Sequence, residues 1–222
     1  MYENLPYAPL DTFWMNKLSK VHNALQARNF GAHIADSAEQ AKELALNEIL
    51  PSFDFHTLSW GDSMTLAATR LVQEIPEHYP VEVIRTFEAD VPRWELIERR
   101  RQALQADLFL TGTNALTEDA RLINLDMVGN RVAGIAFGPK HVLLFIGRNK
   151  LVPGLHAGMA RIKQISAPAN ASRHGFQTPC TKTGNCQECS GPQRLCNTWT
   201  ITDSSFPAQR IQVILINQDL GL

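Results

Sequence analysis

The sequence lacks a long apolar run and lacks an excess of charge of either sign. No stretch approaches the roughly 20 apolar residues that a helix needs to cross a bilayer. The 222 residues carry 21 Lys or Arg and 22 Asp or Glu, a formal net charge of −1. This balance excludes a global electrostatic field that would recruit nucleic acid or an acidic membrane. The sequence therefore predicts neither nucleic acid nor membrane as a partner.

The amino terminus also lacks the features of a secretory leader. Residues 1–6 contain neither a basic region nor an apolar region of the kind that directs export. We therefore expect a cytoplasmic protein. With 44% hydrophobic residues, a chain of this length can bury a substantial core. We predict one domain over residues 1–222 that includes a cysteine-rich, metal-binding loop at residues 167–200.

Cysteine is absent except in one short segment, where all four fall within seventeen residues: Cys180, Cys186, Cys189 and Cys196. Four thiolates on one loop are the soft ligands that zinc and iron–sulfur clusters use. Structural zinc usually takes two C-x2-C pairs, and only Cys186 and Cys189 form one. Two disulfides and four unconnected thiols are the alternatives, although disulfides need an oxidising compartment. His174 could replace one cysteine as a ligand.

The spacing of these cysteines, C-x5-C-x2-C-x6-C, looks like a reversal of the cluster loop of DNA glycosylases. That loop has an x6, x2, x5 pattern of the same length and holds an iron–sulfur cluster. The similarity is confined to the loop. We expect a metal at the four cysteines, with [4Fe-4S] favoured over zinc.

Alternating helical and strand patterns predict a parallel α/β core. A helix is expected after Asp11 and should end near Gly31, and a capping box at Ser37 and Gln40 should open a second helix that Pro51 stops. Further strands are predicted at 53–60, 81–85, 107–110 and 211–216. Further helices are predicted at 63–75, 92–105 and 153–165. Residues 167–193 are expected to be irregular. Three closely spaced strands, 122–125, 132–136 and 142–146, indicate an antiparallel excursion on a mixed sheet.

Small polar residues follow the predicted strand at 53–60. In this first elbow, residues 59–65, Gly61 permits a sharp turn, and Ser63 and Thr65 could bind an anion beside exposed helix amides. The structural alternative is an ordinary helix cap. The ligand sites of parallel α/β sheets lie at such strand ends, so this elbow is a candidate site.

A second elbow, residues 111–119, follows the apolar strand 107–110. It begins with Thr111, Gly112, Thr113 and Asn114, which could equally form an ordinary turn. Because both elbows follow strands of one parallel sheet, we predict that Thr113 and Asn114 share a pocket with the two hydroxyl residues of the first elbow.

Read together, several segments resemble the LUD domain of lactate-utilisation proteins: Thr111–Glu118, Leu122–Asp126, Gly129–Val132, Phe137–Lys140 and Gly147–Lys150. The first elbow resembles the Gly-x-Ser-x-Thr segment of that family. The cysteine loop and the closing residues 217–222 look like its cysteine-bearing, single-domain branch. We also take Lys140 from the central segments as a candidate ligand-binding residue.

The LUD family resembles the ribose-phosphate isomerases, glucosamine-phosphate deaminases and CoA transferases in fold. This implies an open, mixed, mostly parallel α/β sheet with a site at the strand ends. Residues 117–122 are also similar to the Ser-Glu-Asn-Gly segment in which CoA transferases carry a nucleophilic glutamate. Glu118 would occupy that place and is the candidate catalytic residue, with Ala120 where the pattern has glycine.

The resemblance implies an accessory or redox subunit in the oxidation of lactate or a related hydroxy acid. Such a protein would bind a small anionic substrate and a metal centre and would work with partner redox subunits. The alternative is a CoA-transferase-like or sugar-phosphate-type enzyme that uses Glu118. A third possibility is that the metal serves only to staple a long loop.

Overall fold

Ten strands form two sheets in the computed structural model, which describes residues 8–222. In chain order they are β1 (Gly31–Ala35), β2 (Thr57–Trp60), β3 (Glu82–Val83), β4 (Leu108–Thr111), β5 (Ala115–Thr117), β6 (Leu122–Asp126), β7 (His141–Gly147), β8 (Leu151–Val152), β9 (Thr198–Thr202) and β10 (Ile211–Ile216). The central sheet has six strands in the order β1-β10-β7-β4-β2-β3, and every neighbouring pair is parallel. The mostly parallel α/β fold class is therefore confirmed.

The second sheet is smaller and mixed, with the order β8-β5-β6-β9. Its β6 strand runs antiparallel to both neighbours, whereas β5 and β8 are parallel. Of the three strands expected to form an antiparallel excursion, only 122–125, which is β6, lies in this sheet. The predicted strand 142–146 belongs to β7, which is parallel to both of its neighbours in the central sheet, so the excursion was wrong there. In chain order the small sheet begins at β5, which lies within the second elbow.

Nine helices are present in residues 8–222: α1 (Ala8–Ala27), α2 (Ala38–Leu44), α3 (Met64–Thr69), α4 (Leu71–His78), α5 (Arg93–Gln102), α6 (Asn130–Ala136), α7 (Leu155–Arg161), α8 (Ala167–Arg173) and α9 (Pro179–Thr183). The α2 and α7 helices each continue through a π-helical turn. The predicted cap of α2 is confirmed, because the Ser37 side chain accepts a hydrogen bond from the backbone N–H of Gln40. Within this part of the chain no helix is long and apolar enough to span a bilayer.

Helices cover both faces of the central sheet. Along β7, Val142, Leu144 and Ile146 pack in one cluster with residues of α1, and Leu143 and Phe145 pack in the other with residues of α2, α3 and α4. All five side chains are fully buried. A parallel strand buried on both faces needs such a continuous apolar run, and each buried Leu or Phe stabilises the fold by about 1.5–3 kcal/mol.

Strand β1 was not predicted, because Gly31 was expected to end the first helix. The α1 helix instead ends at Ala27, and Asn29 takes the left-handed backbone conformation with a φ of 61°. Gly31 begins β1, where a Cβ atom would lie 1.7 Å from the side chain of Gln212. The end of the Gln212 side chain thus occupies the space that a Cβ atom at this position would take.

The strand predicted at 132–136 was wrong, since these residues belong to α6. Val132 and Ile135 are one helical turn apart and both are buried. The Asp126 side chain accepts a hydrogen bond from the backbone N–H of Val132 at 3.0 Å, which fixes the start of the helix. β-Branched side chains misled the prediction, and a capping carboxylate from the preceding strand decided the outcome.

Other boundaries also differ. The helix predicted at 63–75 is divided at Arg70, whose φ is 58°, and the irregular chain predicted at 167–193 contains α8 and α9. Strands β5, β8 and β9 had no counterpart in the prediction. Each has two to five residues, too few for a clear hydrophobic period.

Candidate functional site

The two elbows lie side by side, because they follow the neighbouring strands β2 and β4 at their carboxyl ends. A Cβ atom on Gly112 would lie 2.6 Å from Ser63 Oγ, and one on Gly61 would lie 2.7 Å from Thr111 Oγ1. Each glycine thus makes room for a hydroxyl side chain of the other elbow. The sequence places these glycines where the two loops must pack closely.

A cavity of about 490 Å³ opens at this edge of the sheet, and we call it the main cavity. Ser63, Gly112, Thr113 and Asn114 border it, so the structure brings these four residues together. Gly61, Thr65 and Thr111 are not part of its lining. The Thr65 hydroxyl donates to the carbonyl oxygen of Leu220 at 2.9 Å, and Thr111 is fully buried.

A buried network centred on Arg131 supports the second elbow. The Arg131 guanidinium pairs with Asp126 Oδ1 at 2.5 Å and donates to Asn114 Oδ1 at 2.7 Å and Asn124 Oδ1 at 2.6 Å. It also donates to the Gly112 carbonyl oxygen at 3.1 Å. Five donors on a planar fork suit this arrangement, which fixes the backbone of the elbow from below.

The polar groups of the elbows differ in their freedom to bind a ligand. The Thr113 hydroxyl is committed to internal oxygen atoms, including Asn124 Oδ1 at 3.1 Å. Ser63 Oγ accepts a hydrogen bond from the backbone N–H of Leu66 at 3.2 Å, which leaves its hydroxyl hydrogen to donate. Asn114 uses its Oδ1 atom as an acceptor, which leaves its side-chain nitrogen, Nδ2, as a donor. Ser63 and Asn114 can therefore donate into the cavity.

A carboxylate and two basic side chains meet at another part of the cavity lining. Asp62 pairs with Arg173, and Asp62 Oδ2 lies 3.1 Å from His174 Nε2. His174 therefore borders the main cavity and contacts Asp62 there. It is not part of the lining that the four cysteines share. The sequence offered no spacing signal for this contact, because 112 positions separate the two residues.

Lys150 borders the same cavity and is only 4% exposed. Burial is the main reason that the pKa of its ammonium group is lowered to about 7, and the positive charges of Arg161 and Arg131 act in the same direction. Sequence reasoning missed Lys150, Arg131 and Asp126 as individual residues. All three lie in segments that carry the LUD resemblance, which was the available signal.

The structure does not bring Lys140 to the main cavity. Lys140 precedes β7, so it lies at the amino end of the sheet, whereas the cavity lies at the carboxyl ends. Its ammonium group pairs with Asp107 at 2.7 Å, and this bond holds the pKa of the Asp107 carboxyl well below its usual range. Lys140 therefore has a structural partner at the far edge of the fold.

Glu118 also lies outside the lining of the main cavity. Its carboxylate pairs with Lys17 at 3.0 Å and with Lys20 at 3.4 Å, both on α1, and the Lys17 contact is the main reason that the pKa of Glu118 lies below its ordinary value. Ala120 has a φ of 68°, so the backbone keeps the conformation favoured by the glycine of the CoA-transferase pattern. The carboxylate of Glu118 faces α1.

All four cysteines border one small cavity of about 10 Å³, which we call the cysteine cavity. They are free thiols of intermediate exposure. In residues 8–222 no group of three or more His, Cys, Asp or Glu side chains converges closely enough to hold a metal ion. The donor set fits a metal centre in chemistry and shares one space, although the sulfur atoms are not drawn together.

Arg194 borders the cysteine cavity, and Lys163 and Glu188 lie near the cysteines. Arg194 donates to the carbonyl oxygen atoms of Cys189 and Cys196, the latter at 2.9 Å, and Lys163 pairs with Glu188 at 2.5 Å. Burial raises the pKa of the Cys196 thiol, while Lys163 acts in the opposite direction. Cys196 borders both cavities. The two candidate sites are therefore in contact through this residue.

Comparison with known proteins places the fold and sequence in one family. The model of the LUD domain matches residues 18–216, so the chain belongs to the LUD domain family. The resemblance found in the sequence is thereby confirmed, and it relates the chain to lactate utilisation at the level of the family.

A solved structure supports the fold. The chain is similar to a DUF162 family protein from Deinococcus radiodurans, with a TM-score of 0.51 and 13% sequence identity over 92% of this chain and 98% of that chain. At this identity the likeness shows the fold alone. A comparison with curated proteins finds no match.

Proposed function

We propose that this protein is an accessory or redox subunit in the oxidation of lactate or a related hydroxy acid, and that it acts in the cytoplasm with partner redox subunits. In this proposal the main cavity binds the small anionic substrate. The four cysteines hold a metal centre, with [4Fe-4S] favoured over zinc. Membership of the LUD family supports the link to lactate utilisation.

The observation that carries the proposal is the position of Cys196, which borders both the main cavity and the cysteine cavity. An iron–sulfur cluster, when bound, exchanges single electrons. Electron exchange is useful to a substrate only when the two sites are close. Cys196 provides this proximity, whereas a metal that only stapled a loop would not require a neighbouring anion site.

The residues around the cysteines suit a thiolate-bound centre. Four thiolates introduce negative charge, and Lys163 and Arg194 lie beside them. Both cations also interact with Glu188, with Lys163 at 2.5 Å and Arg194 at 3.7 Å. Nearby cations favour the deprotonated form of cysteine, which is the form that binds metals, and here they oppose the burial that raises the pKa of Cys196.

The main cavity offers donors for an anion. The Ser63 hydroxyl and the Asn114 amide nitrogen can both donate, and Arg131 holds the second elbow in place. Phe87, Leu96 and Val128 supply apolar walls. Convergent donors against apolar walls are typical of a site for a small organic ligand. The position of Glu118 beside α1 does not favour the CoA-transferase alternative.

The proposal is tested by purifying the protein without oxygen and measuring iron, sulfide, zinc and the visible spectrum. We expect about four iron and four sulfide per chain and a broad visible absorption, as for a [4Fe-4S] cluster. Cys189→Ala should remove most of the metal, and Ser190→Ala, a neighbouring exposed substitution, should retain it. Zinc alone would exclude the redox role. Stoichiometric disulfides without metal would exclude the metal centre altogether.

A further inference from the structure

Lys150 is a buried cation at the main cavity that lacks a negative partner within residues 8–222. Lys150 is only 4% exposed, and it borders the main cavity. Neither a hydrogen bond nor a carboxylate raises the pKa of its ammonium group. Lysine is rarely buried without a partner, because the uncompensated charge is costly.

The position of Lys150 is built by several parts of the fold. It ends the turn after β7, at the same edge of the sheet as the two elbows. Asn149 clamps the closing segment, since its Oδ1 accepts from the backbone N–H of Leu220 at 3.1 Å and its Nδ2 donates to the Gly221 carbonyl oxygen at 3.2 Å. A Cβ atom on Gly221 would lie 2.5 Å from Thr65 Oγ1 and 3.3 Å from Lys150 Nζ, so the closing segment passes close to both the first elbow and the ammonium group.

The charges around Lys150 are unbalanced. Arg161 and Arg131 are the charged groups that act on it, and both are positive. Arg131 is paired with Asp126, but Arg161 donates only to neutral oxygen atoms, those of Asn149, Asn114 and Ser166. Three cations therefore share one carboxylate. Buried charge without compensation is unfavourable, and a bound anion reduces the imbalance.

We propose that Lys150 anchors the anionic group, a carboxylate or a phosphate, of the ligand in the main cavity. This inference rests on the proposed function in that it takes the cavity to be the ligand site. Ser63 and Asn114 border the same cavity, and the Ser63 hydroxyl and the side-chain Nδ2 of Asn114 can donate to a bound anion. The apolar walls then receive the remainder of an organic ligand.

Proton uptake distinguishes this role from a purely structural one. With a pKa of about 7, the Lys150 side chain of the ligand-free protein is half protonated near neutral pH. A bound anion favours the ammonium form, so binding at pH 7 should draw about half a proton from the buffer. A lysine that only fills space would leave the proton balance unchanged.

Titration calorimetry with L-lactate, with inorganic phosphate and with uncharged lactamide tests the proposal. We expect the wild-type protein to bind an anion but not lactamide, and Lys150→Met to weaken that binding about 30-fold or more. Repeating the titration in buffers of different ionisation enthalpy measures the proton uptake. Lys20→Met, which removes an exposed lysine on α1, is the matched control and should bind as the wild type does. The melting temperature of Lys150→Met should be no lower than that of the wild type, because it removes a buried charge.

The outcomes separate this inference from the proposed function. Equal binding of L-lactate by wild type and Lys150→Met would overturn the anchor and leave the lactate proposal intact. Binding of phosphate alone, lost in Lys150→Met, would support the anchor and remove the hydroxy acid from the proposed function. Binding without proton uptake, or equal binding of lactamide, would overturn the anchor. No binding of either anion to the wild-type protein would count against both proposals.

Discussion

The main cavity and the cysteine cavity touch at Cys196, yet the fold holds them in different ways. Around the main cavity, interlocked glycines and the Arg131 network fix the elbows at the ends of buried parallel strands. Around the cysteine cavity, the thiols share one space but no three potential ligands converge within the described chain. Sheet ends can thus pre-form a binding site, whereas a loop of cysteines would need a bound metal to take a defined geometry.

The largest effect is expected from breaking the network below the main cavity. Arg131→Met leaves the carboxylate of Asp126 buried without its partner, and such a loss costs about 3–5 kcal/mol. Urea unfolding at pH 7 measures it. The double variant Arg131→Met with Asp126→Leu should recover part of the loss, because it removes the unpaired charge as well. A cost below about 1 kcal/mol for the single variant would show that the network does not hold the elbow.

The second prediction uses pH to examine the buried amine of the same cavity. The pKa of Lys150 is about 7 in the folded protein and has its ordinary value of 10.5 in the unfolded chain. Between these values the unfolded chain binds more protons than the folded protein, so stability rises with pH, and below about 7 this contribution is constant. Relative to Lys150→Met, the wild-type protein should gain about 2 kcal/mol between pH 7 and pH 9.

Urea unfolding at pH 7, 8 and 9, in buffers without lactate or phosphate, measures this difference. The comparison with Lys150→Met cancels the titration of the cysteines, which both proteins share. Parallel stability curves for the two proteins would show that Lys150 is charged at all these pH values. The same experiment on Lys20→Met should give the wild-type slope, because Lys20 is exposed on α1.

The sequence predicted those parts of the two sites that depend on residues close to each other in the chain. The cysteine cluster was visible because its four residues are close in the chain. Strand β10 was predicted at its observed bounds, since a run of six mostly apolar residues before a polar segment is typical of a buried strand. Such features depend only on neighbouring residues.

Lys150 could not be found in this way, because its neighbours Arg148 and Asn149 make the segment look like a polar turn. Its burial depends on residues of α7 and on the closing segment near Gly221, which is about 70 positions away. The helix α6 was missed for a different reason, since the side chain of Asp126, six positions before Val132, caps it. Long-range packing overrode the local pattern at Lys150, and a side-chain cap overrode it at α6.

The third prediction concerns the cysteine cavity, where disruption should remain local. Cys189→Ala should reduce the protection of residues 178–197 against hydrogen exchange while changing the free energy of unfolding by about 1 kcal/mol or less. The cysteines lie outside the clusters that cover the central sheet, so its core should be unaffected. Ser190→Ala is the control. A loss of several kcal/mol would mean that the metal centre supports the whole fold and that the contrast with the main cavity is wrong.

The smallest effect is expected at Glu118, which belongs to neither cavity. Its ion pairs with Lys17 and Lys20 are partly exposed, and pairs of this kind usually contribute no more than about 1 kcal/mol. Glu118→Gln should therefore unfold in urea almost as the wild-type protein does, and it should bind L-lactate with unchanged affinity because the carboxylate lies outside the cavity lining. Ser63→Ala, which removes a donor from the lining, is the matched comparison and should weaken binding.

An amide can neither attack a carbonyl carbon nor accept a proton as a carboxylate does. A drop in turnover of about 100-fold in Glu118→Gln, with stability unchanged, would consequently identify Glu118 as the catalytic group and replace the accessory role with acyl transfer.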